Sequence, residues 1–145
     1  MRIANKNAGG YKIEEKLEAG IALLGSEVKA LRLGHADINS AYVKIIGVEA
    51  YLINAKIFPY EFSRVENYDE KRTRKLLLHK KEILALKSRL ETGNYTMIPL
   101  ALYLKNSNFK LEMALARGKK EFERRKDSKR RAIERVTKRE MKNLT

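Results

Sequence analysis

The side chains best placed for chemistry in this chain are cations set close together. Residues 72–82 read RTRKLLLHKKE, with Arg72, Arg74, Lys75, His79, Lys80 and Lys81 on either side of Leu76, Leu77 and Leu78. A fully solvated charge run does not carry three consecutive leucines. The pattern predicts a short buried segment that anchors the backbone while Arg72, Arg74, Lys75, Lys80 and Lys81 emerge around it. Cations held in fixed positions suit a folded polyanion, RNA above all. The plainer alternative is a strand entering an amphipathic helix with ordinary surface lysines. A second candidate chemistry belongs to His35 and His79, which as general acid and base beside a phosphate-stabilising lysine would make a ribonuclease. No HExxH, P-loop, nucleophile-elbow or paired-carboxylate motif accompanies them. The expectation is therefore a protein that is not an enzyme, with His79 capping or flanking a helix and His35 in a loop. Two separated histidines and no cysteine offer no metal set and no thiolate, so no metal or other cofactor is expected.

Composition narrows the partner. The 145 residues, 43% hydrophobic, can bury one core but not two. The formal charge of +14 asks for an anionic partner. No apolar run approaches the roughly 20 residues of a spanning helix, and no apolar stretch follows the first charges as in a secretory signal. The expected place is the cytoplasm, away from any membrane.

The elements that must position these cations follow from periodicity and turn residues. Residues 1–9 read as a flexible arm. A strand from Tyr11, a turn near Gly20 and a second short strand over residues 21–24 come next. Gly25 and Ser26 then open a two-turn helix, with Ser26 as cap, Glu27 near the positive end of the dipole, Lys29 and Arg32 outside, and Gly34 as the stop. Residues 41–46 and 50–55 predict a hairpin turning at residues 47–49. Residues 56–71 form a long connection whose Tyr60, Phe62 and Tyr68 either stack on bases or cover the core. A helix over residues 80–92 follows, then strands over 95–105 and 109–117 joined at Asn106, Ser107 and Asn108, with Pro99 marking a bulge or an edge. Residues 100–104 are expected to be buried on both faces. Altogether the chain is mainly β with flanking helices, a small antiparallel OB-like β-barrel, although an α+β sandwich stays open at this level.

Composition breaks at Arg117. Residues 117–145 hold 13 Lys or Arg against five Asp or Glu, so the division is an OB-like barrel over 1–116 and a basic tail over 117–145. The tail is too polar to form a core and is expected to be disordered when free. It has no Gly or Pro after Gly118 and places Glu121 with Arg125, Asp127 with Arg131 and Glu134 with Lys138 at i,i+4, so it is expected to be helical when bound.

Taken in order, LEAG (17–20), GSEVKALR (25–32), RTRKLLLHKKE (72–82) and LARGKK (115–120) resemble the small protein B family, the SsrA-binding proteins that partner transfer-messenger RNA. The likeness covers nearly the whole chain. It implies an OB-like barrel that binds the tRNA-like domain of that RNA and delivers it to stalled ribosomes, with the C-terminal tail in the empty mRNA channel. It also places Asn5 and Lys6 in the arm, Glu18 in LEAG and Leu77 in the leucine triplet at positions for RNA recognition. Lys29, Arg72, Arg74, Lys75, Lys80 and Lys81 become phosphate contacts, which position rather than specify. Leu77 is expected in the core, supporting the patch from below. In the tail, Lys119, Lys120, Phe122, Arg124, Arg125, Lys129, Arg130 and Arg131 become ribosome contacts. Three departures stand out. The family's His-Asp before the first strand is absent, its His-Asp-Pro ahead of the basic run reads Tyr68, Asp69, Glu70, and its tail Tyr-Asp-Lys-Arg reads Phe122, Glu123, Arg124, Arg125. The expected partners are transfer-messenger RNA and the ribosome, met by a monomer. The competing expectation is a basic structural protein of the ribosome with the same barrel.

Overall fold

In the computed structural model, residues 2–118 are described. The tail positions Lys119, Lys120, Phe122, Arg124, Arg125, Lys129, Arg130 and Arg131 lie outside the described residues. The elements run β1 (Arg2–Ala4), a 3-10 turn (Ala8–Gly10), β2 (Tyr11–Ile21), α1 (Gly25–Arg32), β3 (Ala36–Asp37), β4 (Tyr42–Ile46), β5 (Glu49–Ile53), β6 (Lys56–Ile57), β7 (Arg74–Leu77), α2 (Lys80–Thr92), β8 (Thr96–Lys105) and β9 (Asn108–Gly118).

Seven strands make one antiparallel sheet in the order β1-β8-β9-β2-β7-β5-β4, while β3 and β6 pair separately. The sheet bends at two bulges, between Ile13 and Glu15 and between Pro99 and Ala101. It brings β4 beside β8, yet no ladder joins the two. The expected OB-like barrel is thus not closed by hydrogen bonds. One end of β8 faces β4 across an open cleft of about 280 Å³ lined by Val43, Ile45, Leu90, Tyr95 and Met97. Further along, Ala101, Leu102 and Tyr103 of β8 are already paired with β1. The same pairing corrects the flexible arm: residues 2–4 form an edge strand.

The core takes one face of the curved sheet, with Leu52, Leu76, Met97, Leu102, Leu111, Met113 and Leu115 fully buried alongside Leu31 and Ile38. Helix α2 adds Ile83 and Leu86. Helix α1 begins one residue before the expected cap: Leu24 is the N-cap and its N–H donates to the Glu27 carboxylate at 2.8 Å. Ser26 therefore sits inside the first turn. The helix stops where Gly34 takes φ 75°, a conformation that costs a side-chain-bearing residue more.

Gly20 makes no turn. It continues β2 opposite Leu77, and a Cβ added there would stand 3.1 Å from the Leu77 Cβ, so glycine is what allows the two strands to lie this close. The two-residue loop at Asn106 and Ser107 has positive φ at both positions, 49° and 68°, the twist a tight hairpin requires. On β8 only Ala101 and Leu102 of residues 100–104 are fully buried, and Leu104 is exposed, because the outer face there meets water. None of the helices among the described residues is long and apolar enough to cross a membrane.

Candidate nucleic-acid interface

Strand β7 is the centre of the candidate interface, and its alternation decides which residues reach the surface. Successive strand side chains point to opposite faces. Arg74 and Leu76 are buried and Lys75 and Leu77 are exposed. The leucine triplet is therefore not one buried block: Leu76 is in the core, Leu78 is half-buried, and Leu77, 55% exposed, lies on the outer face against Gly20. The expectation of Leu77 as core is corrected by the two-residue period.

Arg74 is corrected for the same reason. It is fully buried, where a cation needs a partner. Its Nε donates to Glu27 Oε2 at 2.7 Å, Nη1 to the Ala55 and Arg72 carbonyls at 2.7 and 3.0 Å, and Nη2 to the Tyr68 hydroxyl and the Glu70 carbonyl, both at 3.0 Å. With every donor engaged inside the protein, Arg74 has none for a phosphate. Arg72, also expected on the surface, turns back to the same carboxylate, its Nε 3.2 Å from Glu27 Oε2. Burial pushes the Glu27 carboxyl up, but the hydrogen bonds from Arg72, the Leu24 amide and Arg74 outweigh it, holding the group below its ordinary value. Tyr68 completes the network with its hydroxyl 2.9 Å from Glu27 Oε2, and burial, then that carboxylate, pushes its pKa up to about 12.

The outer face of β7 opens into a cleft of about 570 Å³. Glu18, Gly20, Lys75, Leu77, Lys80 and Lys110 line it, with His79 and Glu49 at its walls. Four sequence-chosen residues thus meet in one place: Glu18, Lys75, Leu77 and Lys80. Lys81 is exposed on the same first turn of α2 but does not line the cleft. His79 is the N-cap of α2 and its N–H donates to Glu82 at 3.4 Å, whereas His35 is not part of the cleft.

The acids of the cleft are already partnered. Glu49 accepts from Tyr51 and from Lys75 at 3.0 Å. Glu18 accepts from the Tyr103 hydroxyl and from Lys105 at 3.3 Å. The Tyr103 bond is the main cause that holds the Glu18 carboxyl below its ordinary value, so it stays ionised at neutral pH. Burial, then Glu18 itself, pushes Tyr103 up to about 12. The result is an oriented carboxylate beside an exposed leucine, rimmed by Lys75, Lys80 and Lys110. Such a set can grip phosphates with its ammoniums, accept from a base N–H or a 2′-OH, and cover a base face with Leu77.

Tyr103, Lys105 and Lys110 were missed in the sequence. Tyr103 faces Lys110 across the β8–β9 hairpin, and Gly20 pairs with Lys110 on the other side of β9. Only knowledge of that strand order could have found them. Asn5 and Lys6 stand apart. The Asn5 amide donates to the Pro99 carbonyl at 2.7 Å and accepts from the Asn7 N–H at 2.9 Å, beside a separate cleft of about 320 Å³. Lys29 also lies elsewhere, over the ring of Tyr60 at 5.5 Å.

A family model described as SmpB protein matches residues 2–143. The chain belongs to the SmpB protein family. It is 48% identical over 125 residues to an SsrA-binding protein of Geotalea uraniireducens, covering 86% of this chain and 83% of that one. It is 42% identical over 145 residues to an SsrA-binding protein of Fusobacterium nucleatum, covering 99% and 98%. Among solved structures it is similar, at a TM-score of 0.68 and 42% identity over 83% of this chain and 85% of the other, to a chain described under the heading "tmRNA-SmpB: a journey to the center of the bacterial ribosome". As an SmpB protein the chain has its LEAG and RTRKLLLHKKE motifs on the two walls of one cleft, because β2 and β7 are neighbours in the sheet.

Proposed function

We infer that this protein is an RNA-binding adaptor of trans-translation, which binds transfer-messenger RNA and acts with it on stalled bacterial ribosomes. Membership of the SmpB family and likeness to named SsrA-binding proteins support the partner and the process. The observation that carries the site is the 570 Å³ cleft in which Glu18, Leu77, Lys75 and Lys80 converge. The finer reading is ours: an OB-like barrel, although its sheet is not closed by hydrogen bonds, presents this cleft to the tRNA-like domain of that RNA. Lys75, Lys80, Lys81 and Lys110 position it by its phosphates, and Glu18 with Leu77 reads it. The protein acts by binding, not by catalysis, and works in the cytoplasm as a monomer. Residues 117–145, with their net charge of +8 by the count of 13 cations and five acids, enter the mRNA channel as a second contact with the ribosome.

Sequencing the RNA that co-purifies with the protein tests the first step. One small tRNA-like RNA, with the protein on a minor fraction of ribosomes, supports the adaptor. Unit stoichiometry on every ribosome without such an RNA identifies a structural ribosomal protein instead. Deleting residues 121–145 tests the second step, and is expected to leave binding of the tRNA-like RNA in place while tagging of stalled products is lost.

A further inference from the structure

The main cleft can accept, donate and cover, but its walls carry no Phe or Tyr ring. Exposed rings stand in two other places: Tyr11 and Tyr42 beside the Asn5 cleft, and Phe58 and Phe62 on the connection after β6. Phe58 is 38% exposed and Phe62 73%, and Val65 and the nearby Leu33 are exposed too. The connection was expected to resolve one way or the other, with its aromatics stacking on bases or covering the core. It does both. Tyr68 turns inward to Glu27 and Tyr60 packs against the core along one edge, while Phe58 and Phe62 face water.

These rings are held in place. The Phe58 N–H donates to the His35 carbonyl at 3.0 Å, the Ser63 N–H to the Tyr60 carbonyl at 2.9 Å, and the Val65 N–H to the Ser63 hydroxyl at 3.2 Å. Phe62 meets Tyr60 edge to face, centroids 5.6 Å apart at 67°. Cations stand over two of the rings: Lys29 Nζ is 5.5 Å from the Tyr60 centroid and Lys56 Nζ 5.8 Å from that of Phe58.

We propose that Phe58, Tyr60 and Phe62, with Lys29 and Lys56, form a second RNA-binding surface, a stacking platform for unpaired bases separate from the cleft. Unpaired bases offer π-faces to aromatic rings while their phosphates need cations, and this surface places the two groups within one nucleotide's reach of each other. The ammoniums over the rings favour a polyanion over an apolar protein partner, which would have to desolvate them. The surface shares no lining residue with the cleft, and the reading does not depend on what the cleft binds.

The full chain contains no tryptophan, so Phe62→Trp introduces a single indole at the platform. It is titrated with an unstructured ten-nucleotide RNA and, separately, with an abasic ribose-phosphate oligomer of the same charge. Base stacking quenches the indole with RNA and leaves it unchanged with the abasic chain. Phe62→Ala, which removes a ring that is 73% exposed together with its edge contact to Tyr60, is expected to weaken binding of the ten-nucleotide RNA about fivefold or more, the lower end for one stacked base. Its affinity for a tRNA-like RNA held in the cleft should stay within about twofold. Equal quenching by the abasic oligomer overturns the proposal, as does unchanged RNA affinity in Phe62→Ala. So does an equal loss for both RNAs, which makes the platform part of the cleft. A concentration-dependent dimer that Phe62→Ala abolishes assigns the rings to a second copy of the chain and also overturns it.

Discussion

Glu18 and Glu27 are chemically the same residue with the same kinds of partner, a tyrosine hydroxyl and a cation, yet the surroundings give them opposite tasks. Glu27 is 1% exposed and takes hydrogen bonds from Arg72, Arg74, Tyr68 and the Leu24 amide. It joins α1, β7 and the connection before β7, and has no acceptor capacity left for a ligand. Glu18 stands at the open cleft with Tyr103 and Lys105 along one side only. Burial turns the first carboxylate into a structural joint, and exposure leaves the second available for recognition. In a chain of net charge +14, Glu27 neutralises the cation facing inward, while Glu18 keeps an ionised carboxylate in an open cleft lined by lysines.

The comparison breaks first at Glu27. Glu27→Gln leaves Arg74 buried beside a neutral amide and is expected to cost about 3–5 kcal/mol, measured by urea unfolding. Unfolding at wild-type denaturant concentration would mean that the network is incidental. Acid gives an independent check. The folded-state pKa of Glu27 lies below its ordinary value, so the unfolded chain binds more protons as pH falls. The stabilisation is full above the ordinary glutamate value of about 4.3 and is lost as pH drops below it toward the folded-state value. Glu27→Gln should flatten that part of the stability profile.

The next largest contrast lies between neighbours on β7. Leu76→Ala should cost about 2–5 kcal/mol by emptying core volume. Leu77→Ala should change stability by no more than about 0.5 kcal/mol, as for exposed positions, while weakening RNA binding. If Leu77→Ala lowers the melting temperature as much as Leu76→Ala, the outer face of β7 is not a free surface.

These neighbours also mark what the sequence could and could not say. Helix α2 over residues 80–92 and the β8–β9 hairpin were legible because local periodicity and turn residues specify them. The inward Arg74 was not, because its position depends on the phase of a four-residue strand and on a carboxylate 47 residues earlier. The first residues were read as free because few are apolar, yet backbone pairing to β8 needs no apolar side chain. Lys75 and Lys80 were legible as candidates from the basic run itself, Glu18 and Leu77 only through the family resemblance. Their convergence, and the participation of Tyr103, Lys105 and Lys110, rest on β9-β2-β7 being neighbours, which is a non-local fact.

Salt tests the rim of the cleft. Lys75→Gln with Lys80→Gln should make the slope of log affinity for a tRNA-like RNA against log salt shallower by about 1.4–1.8, at 0.7–0.9 per phosphate. The two lysines are not equal, because Lys75 is already 3.0 Å from Glu49 and must leave that acid to meet a phosphate. Lys80→Gln alone should therefore account for more of the change. An unaltered slope in the double variant would move the RNA away from this face.

The smallest effect, and the most diagnostic, belongs to Glu18→Gln. The amide keeps one acceptor oxygen and nearly the same shape, and the position is exposed, so stability should not change. What is lost is the charge, together with one of two acceptors, and a donor is added in its place. If Glu18 accepts from a base N–H or a 2′-OH, affinity for the tRNA-like RNA should fall severalfold with the salt slope intact, because no phosphate contact has been removed. The wild-type carboxyl, held below its ordinary value by Tyr103, is ionised from about pH 5 to 8, so its contribution should be flat across that range and fade only in acid. Tighter binding in Glu18→Gln would reverse the assignment. The carboxylate would then be a repulsive element that keeps phosphates off the middle of the cleft, and recognition would rest on Leu77 and the lysines alone.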